Sequence, residues 1–188
     1  MQTEEKQDPL PLHRLGIVGY GEVGRIFAAG LRARGVGDLV VWDLKFIDPT
    51  KGSEPLAHAR AAGVRAADSM AALCAGRQLI VSAVTASNTL AVAEAVAPHI
   101  VPGAVFLDLN SASPGTKQQA AQHIEACGGR YVEAGVMTSV PPYGMAVPML
   151  LAAPTRLRWH LHCRPGAWTP HRSATAWAWP APSRCAAA

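Results

Sequence analysis

The sequence predicts an α/β fold with a doubly wound, mainly parallel sheet. Short apolar runs, typical of buried parallel strands, alternate along the chain with segments in which apolar residues recur at helical spacing. Glycines and polar residues separate these segments. A regular alternation of strands and helices requires crossover connections, and these place helices on both faces of a parallel sheet.

The first predicted elements surround a glycine cluster. Residues 15–18 form an apolar run that stops at the cluster, and residues 22–34 carry apolar side chains at helical spacing up to Gly35. We therefore expect a strand followed by a helix. Residues 39–42 form a second apolar strand, which ends at Asp43.

A polar segment interrupts the apolar pattern after the second strand. Residues 44–54 are rich in Asp, Pro, Gly and Lys and are predicted to form an exposed loop. A helix is predicted at residues 55–62 and a short third strand at residues 64–66. Asp68 is the predicted N-cap of the helix that follows, over residues 69–75.

The remaining elements keep the same order as far as residue 152. Ser113 is a predicted N-cap, because Pro114 follows it and proline is favoured at the first helical position. The remaining strands are predicted at residues 79–84, 105–107, 131–136 and 147–152, and the remaining helices at residues 88–97 and 114–127.

The formal net charge of +4 comes from the C-terminal tail. Five arginines and no acidic residue follow Thr155, and without them the chain has 12 basic and 13 acidic residues. A nucleic-acid partner is therefore not predicted. No apolar run reaches the roughly eighteen residues of a membrane span, and residues 1–11 do not resemble a signal peptide. We predict a cytoplasmic protein with no membrane partner.

No metal site is predicted from the cysteines or histidines. The four cysteines form no Cys-x-x-Cys pair. The cluster of Trp159, His160, His162 and Cys163 lies in a segment without hydrophobic periodicity, so it is not interpreted as a ligand set. The three histidines on predicted helices or near their ends are expected at the surface.

The glycine cluster has the G-x-G-x-x-G spacing of a dinucleotide-binding loop. It follows a strand and opens a helix, and Asp43 ends the next strand about twenty residues further on, as in a Rossmann-type domain. The candidate cofactor-binding residues of the loop are Gly19, Tyr20, Gly21, Glu22, Val23 and Gly24. Asp43 can accept hydrogen bonds from ribose hydroxyls and would repel the 2′-phosphate of NADP, so NAD is favoured, with NADP possible.

Two alternatives share part of this pattern. The glycines could serve only to form a turn. An S-adenosylmethionine-dependent methyltransferase also has a glycine-rich first loop and an acidic residue after the second strand, but seldom the full three-glycine spacing. The strand, helix and acidic residue together favour the dinucleotide.

Polar residues follow the fourth and fifth predicted strands, at the sheet edge where ligands bind in α/β folds. Val84 and Thr85 follow the fourth strand, and Asn110 and Ser111 follow the fifth. An amide and a hydroxyl suit a nicotinamide carboxamide or a substrate carboxylate. Capping of the next helix is an equally good interpretation of these residues.

The segment 15–24, together with Asp108-Leu109-Asn110-Ser111-Ala112-Ser113-Pro114, resembles the β-hydroxyacid dehydrogenase family, which includes 3-hydroxyisobutyrate and 6-phosphogluconate dehydrogenases. The resemblance covers residues 14–154. It implies hydride transfer between a small hydroxy acid and NAD(P), with Asn110 and Ser111 near the nicotinamide and Thr85 near the adjoining ribose. It also implies a homodimer, and a catalytic lysine in a helical second domain.

The sixth strand departs from the family pattern. Where many members have Asp-Ala-Pro-Val-Ser-Gly-Gly, this chain has Glu-Ala-Gly-Val-Met-Thr-Ser at residues 133–139. Met137 replaces the serine that binds the substrate carboxylate. Met137 and Thr138, with Ser111, are the candidate substrate-binding residues, but the substrate itself cannot be transferred from the better-known members.

Residues 155–188 differ in composition from the rest. They hold four of the five tryptophans and two of the four cysteines. GC-rich codons for this tail, read one base back, give a string ending in GVASAVKMCRS, which resembles the segment with the family's catalytic lysine. We therefore hypothesise a frameshift near Pro154, a missing helical second domain and no catalytic residue in this chain.

Three regions follow from these observations. Residues 1–13 are predicted to be a flexible N-terminal segment, residues 14–154 the NAD(P)-binding domain, and residues 155–188 a tail without regular structure. The predicted function is that of an NAD(P)-dependent oxidoreductase, truncated and inactive in this form. The alternative is a nucleotide-binding module without catalysis.

Overall fold

The structure is a computed structural model that describes residues 13–152, 161–164 and 167–170. Its main sheet has seven strands, in the spatial order β3-β2-β1-β4-β5-β6-β7. All neighbouring pairs are parallel except β6 and β7, which are antiparallel. The strands are β1 (Arg14–Val18), β2 (Asp38–Trp42), β3 (Arg65–Ala66), β4 (Leu79–Ser82), β5 (Val105–Asp108), β6 (Arg130–Val136) and β7 (Met149–Ala152).

Five α-helices connect the parallel strands. They are α1 (Glu22–Ala33), α2 (Ser53–Ala61), α3 (Met70–Cys74), α4 (Thr89–Val96) and α5 (Pro114–Ala126). Short 3₁₀ helices at Leu44–Ile47, Ala86–Asn88, Ala97–His99 and Gly144–Ala146 lie in the connections. The strand order reverses between β1 and β4, which makes the carboxyl ends of these two strands the switch point where α/β folds bind ligands.

Each face of the sheet has its own hydrophobic core. Phe27 and Leu31 of α1 pack on one face with residues of α2 and of the segment 130–152, which runs from β6 to β7 and is called the β6–β7 segment below. Leu73 of α3, Val92 of α4 and Ile124 of α5 pack on the other. Helices therefore cover both faces, and the α/β doubly wound fold predicted from the sequence is confirmed.

Most predicted element bounds agree with the structure to within two residues, and one predicted cap is wrong. Ser113 caps α5, since its hydroxyl accepts a hydrogen bond from the Thr116 amide. Ser69, not Asp68, caps α3, because its hydroxyl accepts from the Ala72 amide. The predicted loop after β2 contains the 3₁₀ turn Leu44–Ile47. Leu44 and Ile47, the first and last residues of this turn, are both exposed.

The structure also describes two antiparallel strands, β8 (Leu161–Arg164) and β9 (Ala167–Pro170), within the predicted tail. The sequence predicts no regular elements there. The predictions for the rest of the tail and for nearly all of the N-terminal segment lie outside the described residues.

Candidate cofactor site

Two glycines of the β1–α1 loop are required by the packing of the loop itself. Gly19 has φ +91°, and a Cβ added there would lie 2.3 Å from the Ala83 carbonyl oxygen. A Cβ on Gly24 would lie 1.9 Å from the carbonyl oxygen of Gly19. Larger residues would therefore push α1 away from the strand end, as expected for a tight turn with close helix–strand packing.

Gly21 differs from them, because no protein atom other than those of its chain neighbours lies within 4 Å of the position of its Cβ. It is the N-cap of α1 and provides no side-chain cap to the amides of the first turn. The loop thus leaves open space in front of a helix N-terminus, where backbone amides and the helix dipole favour an anion. This arrangement fits a pyrophosphate. Glu22 is exposed, and Val23 packs against the core.

Tyr20 faces the protein interior. Its side chain is 2% exposed, its hydroxyl lies 3.1 Å from His58 Nδ1, and its ring meets Phe46 edge-on. Burial raises the pKa of Tyr20, partly opposed by nearby Arg25. The buried side chain of Tyr20 therefore anchors the loop to the core and does not face a ligand. His58 is exposed, as predicted from the sequence, but the sequence gave no sign of this contact.

Asp43 joins the glycine loop to the end of β2. Its Oδ2 accepts a hydrogen bond from the Tyr20 amide at 2.7 Å, and its Oδ1 accepts one from the Lys45 amide at 2.9 Å. Each carboxylate oxygen has a second lone pair, so hydrogen bonds to ribose hydroxyls remain available. The half-buried Asp43 therefore holds the glycine loop to the end of β2 and still has lone pairs for a ribose.

Asn110 ties together the ends of β4 and β5. Its Oδ1 accepts from the Val84 amide at 2.7 Å, and its Nδ2 donates to the Ser82 hydroxyl at 3.0 Å. Asn110 is 4% exposed, so its side chain positions the loops. Thr85 and Ser111 are exposed on the same two loops, and the Thr85 hydroxyl accepts a hydrogen bond from Asn88 Nδ2.

The predicted substrate-binding residues follow β6 at the same edge of the sheet. The parallel register of β1, β4, β5 and β6 brings their carboxyl ends to one side, which gathers the glycine loop and the three later loops there. Met137 is 60% exposed and Thr138 is also exposed. The structure therefore brings the predicted cofactor and substrate residues to one edge, with Tyr20 and Asn110 holding loops in place.

A buried ionic cluster that the sequence analysis missed lies beneath these loops. Lys117 of α5 approaches Asp108 at the end of β5 and Glu133 of β6, and Tyr131 donates a hydrogen bond to Asp108. Residue type alone could not reveal it, because Lys117 occupies a helix whose other polar residues are mostly exposed.

Two negative findings concern the described part of the chain. No group of three or more His, Cys, Asp or Glu side chains there is arranged to hold a metal ion. No helix within those residues has the length and apolar character needed to cross a bilayer.

Comparison with protein families gives one match at this domain. A family model for the NAD binding domain of 6-phosphogluconate dehydrogenase matches residues 14–141. No curated protein matches the chain significantly.

Several solved structures resemble the chain. A conserved hypothetical protein from Sinorhizobium meliloti 1021 is 39% identical, with a TM-score of 0.71 over 75% of this chain and 47% of that one. MTH1747, a conserved protein of unknown function described as structurally similar to 3-hydroxyacid dehydrogenases, is 30% identical, with a TM-score of 0.60 over 76% of this chain and 50% of that one.

A third structure shows the fold alone. The 3-hydroxyisobutyrate dehydrogenase of Mycobacterium tuberculosis, solved with L-serine, is 20% identical, with a TM-score of 0.62 over 76% of this chain and 45% of that one. The chain thus spans about half the length of the solved structures it matches.

Proposed function

The chain belongs to the family defined by the NAD binding domain of 6-phosphogluconate dehydrogenase, and from this we propose that it is the cofactor-binding part of an NAD-dependent oxidoreductase acting on a small hydroxy acid. The observation that carries the proposal is the open space at Gly21 before the uncapped N-terminus of α1. An anion such as the pyrophosphate of a dinucleotide fits that space.

The choice of NAD over NADP rests on Asp43. Its carboxylate lies at the end of β2, held by the amides of Tyr20 and Lys45. A negative charge there favours ribose hydroxyls and disfavours a 2′-phosphate. The family match itself supports a nicotinamide dinucleotide rather than S-adenosylmethionine.

In the proposed reaction, the hydroxyl-bearing carbon of the substrate loses a hydride and its hydroxyl loses a proton, which leaves a carbonyl group. Bound nicotinamide supplies the hydride acceptor. In this proposal the residues of the chain bind and orient. Thr85 and Ser111 are exposed on the loops after β4 and β5, where nicotinamide and substrate would meet, and Asn110 holds these loops together. The resemblance assigns the proton to a lysine of the family's helical second domain.

An exposed apolar surface supports the idea that more protein packs against this domain. Met137, Tyr143 and Leu150 are 60%, 53% and 66% exposed, and all three lie in the β6–β7 segment. Exposed apolar side chains grouped in one segment are typical of an interface. We propose that the helical domain of an intact homodimeric enzyme covers this segment.

The test is a titration of the full 188-residue chain with NADH, NADPH and S-adenosylmethionine, followed by calorimetry. The proposal expects NADH to bind more tightly than NADPH and S-adenosylmethionine not to bind. Absence of NADH binding would remove the basis of the proposal. A second assay, the change in nicotinamide absorbance with a panel of small hydroxy acids, tests turnover.

A nucleotide-binding module without catalysis is the second candidate function. It is favoured by the family match, which covers an NAD binding domain and by itself supports binding rather than catalysis. NADH binding with no hydride transfer to any carbonyl acid would support it. Measurable hydride transfer by this chain would exclude it.

A further inference from the structure

The buried cluster around Lys117 links two strands of the sheet. The Nζ of Lys117 lies 3.6 Å from Asp108 Oδ2 and 3.4 Å from Glu133 Oε1. The side chain of Lys117 is 4% exposed and that of Asp108 is fully buried. Asp108 and Glu133 are register partners on β5 and β6, so two carboxylates lie side by side and the ammonium group lies between them.

Asp108 connects this cluster to the loops after β4 and β5, which are proposed to bind nicotinamide. Its Oδ1 accepts a hydrogen bond from the Asn110 amide at 2.8 Å, while its Oδ2 accepts from the Tyr131 hydroxyl and faces Lys117. The Asn110 side chain in turn accepts from the Val84 amide at 2.7 Å. A continuous series of polar contacts therefore runs from Lys117 to the loops after β4 and β5.

The burial of Asp108 makes its contact with Lys117 important. The side chain of Asp108 is fully buried and that of Glu133 is 33% exposed, so Asp108 depends more than Glu133 on the neighbouring ammonium group. Without Lys117, the buried Asp108 would lose its charged partner and shift, and its hydrogen bond from the Asn110 amide would weaken. Tyr131 stays a proton donor, because burial and the neighbouring Asp108 raise its pKa.

A purely structural role does not explain why an ionic cluster occupies this position. Replacement of a buried ion pair by apolar residues is often neutral or stabilising, so packing alone does not favour Lys117 over a methionine or leucine. The cluster lies under the end of β5 and contacts the strand that leads to the predicted substrate loop. Its position points to a role in site geometry.

We propose that Lys117 is a positioning residue for the nicotinamide half of the cofactor site. It holds Asp108 in place, Asp108 holds the backbone of Asn110, and Asn110 fixes the loop that starts at Val84. This inference rests on the proposed function, since it presumes that the loops after β4 and β5 receive nicotinamide. The other half of the site would bind the pyrophosphate, ribose and adenine. It lies at the glycine loop and the end of β2, so its geometry does not depend on Lys117.

The experiment compares two ligands on two variants. NADH occupies both halves of the site, whereas ADP-ribose lacks nicotinamide and reports only on the other half. For Lys117→Met, we expect NADH affinity to fall by about tenfold or more and ADP-ribose affinity to change by less than about twofold. The fluorescence of the bound reduced nicotinamide should also shift towards that of free NADH. Lys51→Met, which replaces an exposed lysine, is the matched control.

A second variant covers the case in which Lys117→Met does not fold. Tyr131→Phe removes one hydroxyl and keeps the ring that stacks on Phe106, so the core retains its packing. It should show the same selective loss for NADH, to a smaller extent. Thermal melting of every variant confirms that binding is measured on folded protein.

The other outcomes contradict the proposal. Equal losses for NADH and ADP-ribose would show a general structural role for Lys117, and unchanged NADH affinity would show that the cluster does not reach the loops. Wild-type protein that binds ADP-ribose as tightly as NADH would mean that no nicotinamide subsite forms. If the wild-type protein binds neither ligand, the proposed function itself fails, and this result is distinct from the other three.

Discussion

The three glycines of the β1–α1 loop differ in what lies at the position that a Cβ would occupy. Gly19 and Gly24 face backbone carbonyl groups of the protein, whereas Gly21 faces open space. The first two are therefore needed for the folded loop and the third for the ligand. This distinction depends on atomic positions, since the three glycines are equivalent in the sequence pattern.

Substitution of Gly21 and Gly24 should separate binding from stability. Gly21→Ala should lower NADH affinity by about tenfold or more, because the methyl group enters the pyrophosphate space. Its free energy of unfolding should change by less than about 1 kcal/mol. Gly24→Ala should lower the free energy of unfolding by about 1 to 3 kcal/mol, because its Cβ meets the Gly19 carbonyl oxygen. Urea unfolding and calorimetry measure both effects. The interpretation is wrong if Gly21→Ala destabilises the fold as much as Gly24→Ala.

Asp43 should control the choice between NAD and NADP. Asp43→Ala removes the negative charge that faces the ribose, so the ratio of NADPH to NADH affinity should rise about tenfold. Asp48→Ala is the control, because Asp48 lies in the same loop and binds Thr50. Calorimetric titration with both cofactors measures the ratio. An unchanged ratio for Asp43→Ala would leave the preference for NAD without its proposed cause.

At the scale of the elements, Arg77 ties the start of β2 to the turn after α3. The buried guanidinium donates to Asp38 Oδ1 at 2.7 Å and to the Ala75 carbonyl oxygen. The hydrogen bond from Arg77 is the main reason why the pKa of Asp38 lies below its ordinary value of 3.8. Asp38 is the first residue of β2 and Arg77 lies just before β4, so the contact fixes how these two strands enter the sheet.

The pair predicts a specific acid sensitivity. A lowered pKa in the folded state means that ionised Asp38 stabilises the protein fully above pH 3.8, and this contribution is lost as the pH falls through the folded-state pKa. Since Asp38 is 42% exposed, its contribution is limited to about 1 kcal/mol. Asp38→Asn should therefore melt below wild type at neutral pH, and the difference should shrink below pH 3.8. Thermal melts across this range check it, with Asp68→Asn as the control. A difference that stays constant with pH would contradict the assignment.

The elements themselves were predictable from local sequence. Each signal involves residues that are close together in the sequence. Examples are the apolar runs of β1 and β2, the helical spacing of α1 and the Ser113–Pro114 start of α5. The one wrong cap, Asp68 in place of Ser69, involves two neighbouring residues that can both cap a helix. Local sequence does not decide between them, because the choice depends on where the chain first takes helical backbone angles.

At the scale of the whole molecule, the sheet order places every proposed binding loop on one edge, and three apolar side chains between β6 and the end of β7, Met137, Tyr143 and Leu150, are exposed. The described residues form the half that would hold the cofactor. The frameshift hypothesis concerns residues 155–188 and stays a prediction.

Resequencing of the coding DNA around the Pro154 codon tests this hypothesis. We expect one additional base there, and a restored frame that encodes the lysine-bearing segment. The 188-residue chain should then bind NADH without turnover, whereas the restored chain should change nicotinamide absorbance with a small hydroxy acid. An unchanged DNA sequence would contradict the frameshift, and turnover by the 188-residue chain would contradict its predicted inactivity.

The sequence by itself determined the alternation of strands and helices, the dinucleotide loop and the family. These follow from hydrophobic periodicity and turn chemistry, which act over short stretches of chain. The tertiary structure decided which side chains meet: Tyr20 with His58, Asp43 with the Tyr20 amide, and Lys117 between Asp108 and Glu133. The contacts with His58 and Asp43 join residues more than twenty positions apart, and the Lys117 cluster joins two strands and a helix. They form only once the sheet register is set, because register determines which strand ends lie side by side.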